Sequence, residues 1–160
     1  MGEKRVLWVH ANLEQARPYL NAVAELGESL ENKIDVDLVN LATRVPEALN
    51  NHRYDVILIN PDVAPGQGYK KDSKLNEAVV ATGIIDAEKM AYYLLEKCRA
   101  NNEKTWLILT DFGLPEEQPY FEHSMLEFAY NQYIKMNEVK PEEFAWKVYE
   151  QATRYDRAMR

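Results

Sequence analysis

Two runs of four apolar residues, Val56-Ile57-Leu58-Ile59 and Trp106-Leu107-Ile108-Leu109, constrain the fold more than any other feature of this chain. A strand covered on both faces reads as a continuous apolar run, whereas a strand with one wet face alternates. Both runs therefore predict central strands, within strand segments from Asp55 to Asn60 and from Thr105 to Thr110. Two more runs of strand length, Arg5 to His10 and Val36 to Leu41, are rich in β-branched residues, and a fainter one spans Tyr133 to Met136.

Helical patterns separate these runs. Leu13 to Leu26 places Ala16, Leu20, Val23 and Leu26 near helical spacing, and Ile84 to Ala100 does the same with Ile85, Met90, Tyr93, Leu94 and Cys98. A short helix is predicted over Pro46 to Asn51, another over Gln118 to Tyr130, and a last one opens at Pro141 with Phe144, Val148 and Ala152 on one face. Proline suits a first helical turn, where its missing N–H would have no partner in any case. Strand and helix alternate five times, which predicts a parallel sheet with helices on both faces and right-handed crossovers. The 160 residues suffice for one domain with its own core, so a single domain over 1–160 is expected. The one connection that breaks the short-loop rule runs from Pro61 to Gly83 and is read as a long loop.

With 19 Lys and Arg against 26 Asp and Glu, the net charge is -7, which repels nucleic-acid phosphates and anionic membrane surfaces. Neither is expected as a partner. The start of the chain leads directly into a short apolar run, too brief for a signal peptide or a membrane span, and the protein is expected to be cytoplasmic. Cys98 is the only cysteine; its place in an apolar helical pattern reads as core filler rather than a reactive thiol.

In a parallel sheet of this kind, sites form beyond the carboxyl ends of the strands. The residues there carry a family resemblance. Val6-Leu7-Trp8-Val9-His10-Ala11-Asn12, followed by Glu14, Gln15, Ala16 and Leu20, resembles the first strand and helix of a response-regulator receiver domain. Tyr54-Asp55-Val56-Ile57-Leu58-Ile59-Asn60 resembles the receiver's third strand, Trp106 to Thr110 its fourth, and Tyr133-Ile134-Lys135-Met136 with Pro141 its fifth strand and last helix. The resemblance covers nearly the whole chain apart from 61–83. It implies a flavodoxin-like three-layer α/β sandwich with five parallel strands in the order 2-1-3-4-5.

The resemblance also fixes which positions have changed. His10 and Ala11 occupy the places of the acidic pair that binds magnesium in the family, Asn60 that of the phosphorylated aspartate, and Met136 that of the lysine. Thr110 keeps the family's hydroxyl residue. Lys135 stands one residue early, and a one-residue slip in a strand turns the side chain to the other face. Phosphoryl transfer to a carboxylate needs an ionised oxygen nucleophile and a hard cation held by carboxylates. A neutral amide beside an imidazole and a methyl group supplies neither. No catalytic residue, metal or cofactor is expected, and the chain is identified as a degenerate member, a pseudo-receiver. Asp62, Asp111 and Lys135 form the alternative polar set, should the phosphoacceptor or a metal ligand be displaced.

Local readings stand beside these. The Asn60 amide and Thr110 hydroxyl can simply bond the neighbouring turn backbone, and His10 can be satisfied by a local hydrogen bond. Lys70, Lys71 and Lys74 form a basic cluster that could attract an anion or an acidic partner, or be a solvated loop. Tyr120, Phe121, Phe128, Tyr130 and Tyr133 are either core or the face through which a protein partner or a second copy docks. The function expected is therefore a non-enzymatic signalling or interaction module. The alternative is a small-ligand-binding or nucleoside-processing enzyme of a doubly wound fold, working at the strand ends with Asp62, Glu77 or Asp111.

Overall fold

The computed structural model describes residues 3–81, 84–101, 103–113 and 130–158. Strand β1, Lys4–Val9, leads into helix α1, Leu13–Ser29, and then into β2, Ile34–Val39. Asn12 begins α1 because its side-chain oxygen accepts the Gln15 N–H, satisfying a donor that has no partner inside the helix. Helix α2, Val45–Asn51, carries Pro46 in its first turn and precedes β3, Val56–Ile59. Helix α3 (Ser73–Ala78), the short strands β4 (Val79–Ala81) and β5 (Ile84–Ile85), and helix α4 (Ala87–Asn101) follow. Then come β6, Trp106–Asp111; β7, Gln132–Lys135; α5, Pro141–Ala152; and α6, Arg154–Ala158.

The main sheet has the order β2-β1-β3-β6-β7, and every neighbouring pair is parallel. Counted along the chain, that is the expected 2-1-3-4-5. Because strand side chains alternate between faces, each strand feeds two cores. Leu7, Val9, Ile57, Ile59, Leu107 and Leu109 pack against Leu49, Leu75, Met90, Leu94 and Cys98. Val6, Trp8, Val56, Leu58, Ile108 and Ile134 pack against Ala16, Val23, Phe144 and Val148. The second of these cores is a continuous aromatic stack, with Trp8 at 5.2 Å from Phe144 and Tyr19 edge-on to both. Cys98 is fully buried, and burial pushes its thiol up to about 12.

Two expectations are corrected. The segment 61–83 is not an open loop: its described residues include a turn of 3-10 helix at Tyr69–Lys71, then α3 and β4. Asp72 starts α3 by accepting from the N–H groups of Lys74 and Leu75. The helix expected from Ile84 begins instead at Ala87, because Ile84 and Ile85 pair with β4 and the Asp86 carboxylate caps the helix through the Lys89 N–H. The helix expected over Gln118 to Tyr130, and with it Tyr120, Phe121 and Phe128, lies outside the described residues apart from Tyr130.

Ahead of α3 the chain crosses the sheet end. Beyond β1, the continuations of β2 and β3 bond each other directly: Leu41 bridges Ala64, Ala42 N–H donates to the Ala64 carbonyl at 2.9 Å, and Thr43 N–H to that of Pro65 at 2.9 Å. Gly66, at φ +93°, makes the crossing possible, since a Cβ there would fall 2.1 Å from the Thr43 hydroxyl.

Candidate functional site

The carboxyl ends of β1, β3 and β6 bring His10, Asn60 and Thr110 to one rim. Backbone ladder bonds extend past β1 and β3, with His10 N–H donating to the Val39 carbonyl and Asn60 N–H to that of Val9, so both residues are rigidly placed. Their side chains then meet. Asn60 Nδ2 lies 2.8 Å from His10 Nδ1, and Asn60 Oδ1 accepts the Asp62 N–H at 3.1 Å. The second bond decides the first: because the amide oxygen faces Asp62, the amide NH₂ must face the imidazole, and His10 Nδ1 must accept. The ring is therefore neutral, with its proton on Nε2.

Protonation would set a second N–H against the amide donor. Burial dominates the titration and pulls His10 from 6.5 down to about 4, against the opposing pull of the Asp62 carboxylate and the Gln15 side chain. His10 is 2% exposed, and its Nε2 has no hydrogen bond of ordinary geometry among the described residues. The imidazole joins a cluster of three near-parallel rings, 5.2 Å from Trp8 and 5.0 Å from Phe112, which are themselves 6.4 Å apart. Phe112 was not singled out from the sequence; nothing in a lone Phe after Asp111 announces a stacking partner for residue 10.

Thr110 is fully buried, and its hydroxyl donates to the Ile59 carbonyl at 3.2 Å. Its bonding is local. Asp111, 5% exposed, accepts the Gly113 N–H at 2.8 Å on one oxygen and the Tyr133 hydroxyl on the other. Tyr130 and Tyr133 are half-buried, pack against the core on the α4 side and lie 6.0 Å apart. Met136 is fully buried in the aromatic core beside Ile134, so Lys135, paired in register with Asp111, projects to the opposite face.

Ala11 and Asp62 are exposed and share an open cleft of about 570 Å³ with Asn12, Leu13, Glu14 and Ala64. The crossing segment walls it on one side. Glu14 is paired with Arg17 at 3.0 Å. Lys70, Lys71, Lys74 and Glu77 are all exposed. Lys74 is neutralised by Glu96 at 2.6 Å and Asp72 by Lys97 at 3.5 Å, so the basic stretch is not a uniform cationic patch.

Magnesium prefers several hard oxygen ligands. Around Asn60 the available ligands are an imidazole nitrogen and an amide oxygen already engaged with protein groups and the exposed Asp62 carboxylate, while Ala11 offers only a methyl and Glu14, in the same cleft, is paired with Arg17. These residues do not fit the ion. Among the described residues no three His, Cys, Asp or Glu side chains group as metal ligands would, and no helix is long and apolar enough to cross a membrane.

The sheet order, the helices on both faces and the rim at β1 and β3 define the receiver fold of the flavodoxin-like class. Solved structures make the likeness specific. A two-component response regulator from Clostridium difficile superposes with a TM-score of 0.60 at 12% identity, covering 94% of this chain and 96% of its own. The receiver domain of a sensor histidine kinase from Pseudomonas aeruginosa, solved with magnesium in its active-site cleft, gives 0.56 at 16% identity, covering 95% and 96%. Lysine decarboxylase A from Pseudomonas aeruginosa gives 0.57 at 15% identity, covering 95% of this chain but 18% of its own. No protein-family model matches the sequence. No curated protein matches it either.

Proposed function

We propose that this chain is a pseudo-receiver: a receiver-fold module that takes up no phosphoryl group and acts as a non-enzymatic signalling or protein-interaction scaffold. The observation that carries the reading is the bond between Asn60 Nδ2 and His10 Nδ1, at 2.8 Å. It occupies the place where the family resemblance calls for an ionised carboxylate facing a cation. The Asn60 amide oxygen is turned to the Asp62 backbone. Thr110 and Asp111 are likewise committed to protein partners. Self-association through the face that includes Tyr130 and Tyr133 belongs to the same reading, and light scattering tests it: a strict monomer at high concentration removes it.

The decisive experiment treats the full chain with magnesium and acetyl phosphate, and separately with magnesium and beryllium fluoride. Intact mass stays constant and the amide resonances of Asn60, Asp62 and Thr110 stay in place on this reading. A phosphorylated species, or saturable shifts in that group, overturns it. Asn60→Asp alone does not restore phosphorylation, because Ala11 still offers no carboxylate. A second reading, a small-ligand enzyme, rests on the cleft beside Asp62. A thermal-shift screen with nucleotides tests it, and uniformly flat melting temperatures remove it.

A further inference from the structure

The cleft of about 570 Å³ beside Asp62 is built from three segments that meet beyond the sheet: the start of α1 with Leu13, the crossing segment with Asp62 and Ala64, and β5 with Ile85. Its walls are largely apolar. Leu13 is 49% exposed on the first turn of α1, Ala64 is exposed, and Ile85 is half-buried. Two polar side chains on the lining are already engaged: Asn12 accepts from the Gln15 N–H, and Glu14 is paired with Arg17 at 3.0 Å. Asp62 differs. Its N–H donates to Asn60 Oδ1, but among the described residues no cation pairs with its carboxylate. The charge of that carboxylate is felt by the His10 ring, which is buried and neutral.

Small-ligand sites are mostly apolar, with a few polar groups that fix the orientation of what binds. Here one carboxylate plays that part. The positive end of α1 borders the cleft, but the Asn12 cap and Glu14 in the first turn offset it. A ligand therefore meets the Asp62 charge, and the net charge of -7 favours a cation at long range as well. A bare metal ion leaves the apolar wall unused, and a phosphate-bearing ligand faces like charge. We propose that the cleft binds a small amphipathic amine, its ammonium on the Asp62 carboxylate and its apolar body over Leu13, Ala64 and Ile85. The proposal deepens the small-ligand reading of this cleft by naming the ligand class, and it rests on the cleft rather than on any reaction.

The test titrates the full chain with phenethylammonium chloride at constant pH and salt and follows the backbone amide resonances. Those of Leu13, Asp62, Ala64 and Ile85 shift saturably in the millimolar range, while those of Arg53 and Lys104, before the amino ends of β3 and β6, stay in place. Three controls separate charge from shape. Phenethyl alcohol keeps the body without the charge, hydrocinnamate reverses the charge, and methylammonium keeps the charge without the body; each binds more weakly than the amine or not at all. Asp62→Asn weakens the amine roughly two- to fivefold, the range of an exposed ion pair, and leaves the alcohol unaffected. Leu13→Ser weakens amine and alcohol alike. Both positions are exposed, and unchanged melting temperatures confirm that the variants are folded. Absence of a saturable shift, an alcohol or hydrocinnamate that binds as well as the amine, or full-strength amine binding by the Asp62→Asn chain each overturn the proposal. A flat nucleotide screen removes the nucleoside-processing enzyme and an acyl phosphate removes the pseudo-receiver, but neither moves the amine titration, so the failures are separable.

Discussion

Replacing His10 with Phe isolates one titrating group and makes its contribution to stability measurable. In the folded chain the imidazole is held neutral by burial and by the Asn60 amide donor, with its proton affinity lowered from 6.5 to about 4. The unfolded chain therefore binds a proton between those values that the folded chain refuses. His10 stabilises the fold fully above pH 6.5, and that stability is lost as pH falls towards 4. At about 1.4 kcal/mol per unit, the ceiling is roughly 3 kcal/mol. Phenylalanine keeps a ring against both Trp8 and Phe112 but leaves the Asn60 NH₂ without its acceptor, which costs about 1–2 kcal/mol at every pH. Urea unfolding from pH 7.5 to 4 reads both effects. The wild-type chain loses on the order of 2–3 kcal/mol more than the variant across that range, because carboxylate titrations are common to the two and cancel. Parallel curves would refute the assigned tautomer and the burial argument together. The His10 ring protons, followed by NMR, show no titration above about pH 5 if the reasoning holds.

Two further outcomes follow from the same geometry. Gly66→Ala forces a side chain into a left-handed backbone and against the Thr43 hydroxyl, and is expected to lower stability by about 2 kcal/mol or more in chemical denaturation; an unchanged midpoint contradicts the crossing segment. Cys98, fully buried with its thiol raised to about 12, resists a thiol reagent in the native chain and reacts at the rate of unfolding, so immediate stoichiometric labelling contradicts its place in the core.

The sheet was legible because its signal is local. Val56 to Ile59 and Trp106 to Leu109 declare two-sided burial by composition alone, and the five-fold alternation carried the strand order through the family resemblance. The segment after Asn60 was not legible as structure, since Pro61, Pro65 and Gly66 read as loop punctuation while the bonds that order it reach across to Ala42 and Thr43. Ile84 and Ile85 satisfied helical spacing and strand propensity equally. Asp86, three residues before Lys89, was the cap signal that could have placed the helix start. At the rim, the positions of His10, Asn60 and Thr110 followed from counting along strands. Their bonds did not, because which end of the Asn60 amide faces Asp62 depends on a turn no periodicity encodes, and Phe112 and Tyr133 arrive from other segments.

The stacking of Trp8 on His10 gives the chain its own optical gauge. Trp8 is completely enclosed, so its emission belongs to the blue end of the indole range and stays insensitive to solutes. Any event that charges, moves or rehydrates the neighbouring imidazole alters that light directly, since the two rings are stacked 5.2 Å apart and nearly parallel. In a chain carrying Trp106→Phe and Trp146→Phe, where Trp8 is the one indole left, a simple fluorimeter can therefore watch the rim of the sheet without a label.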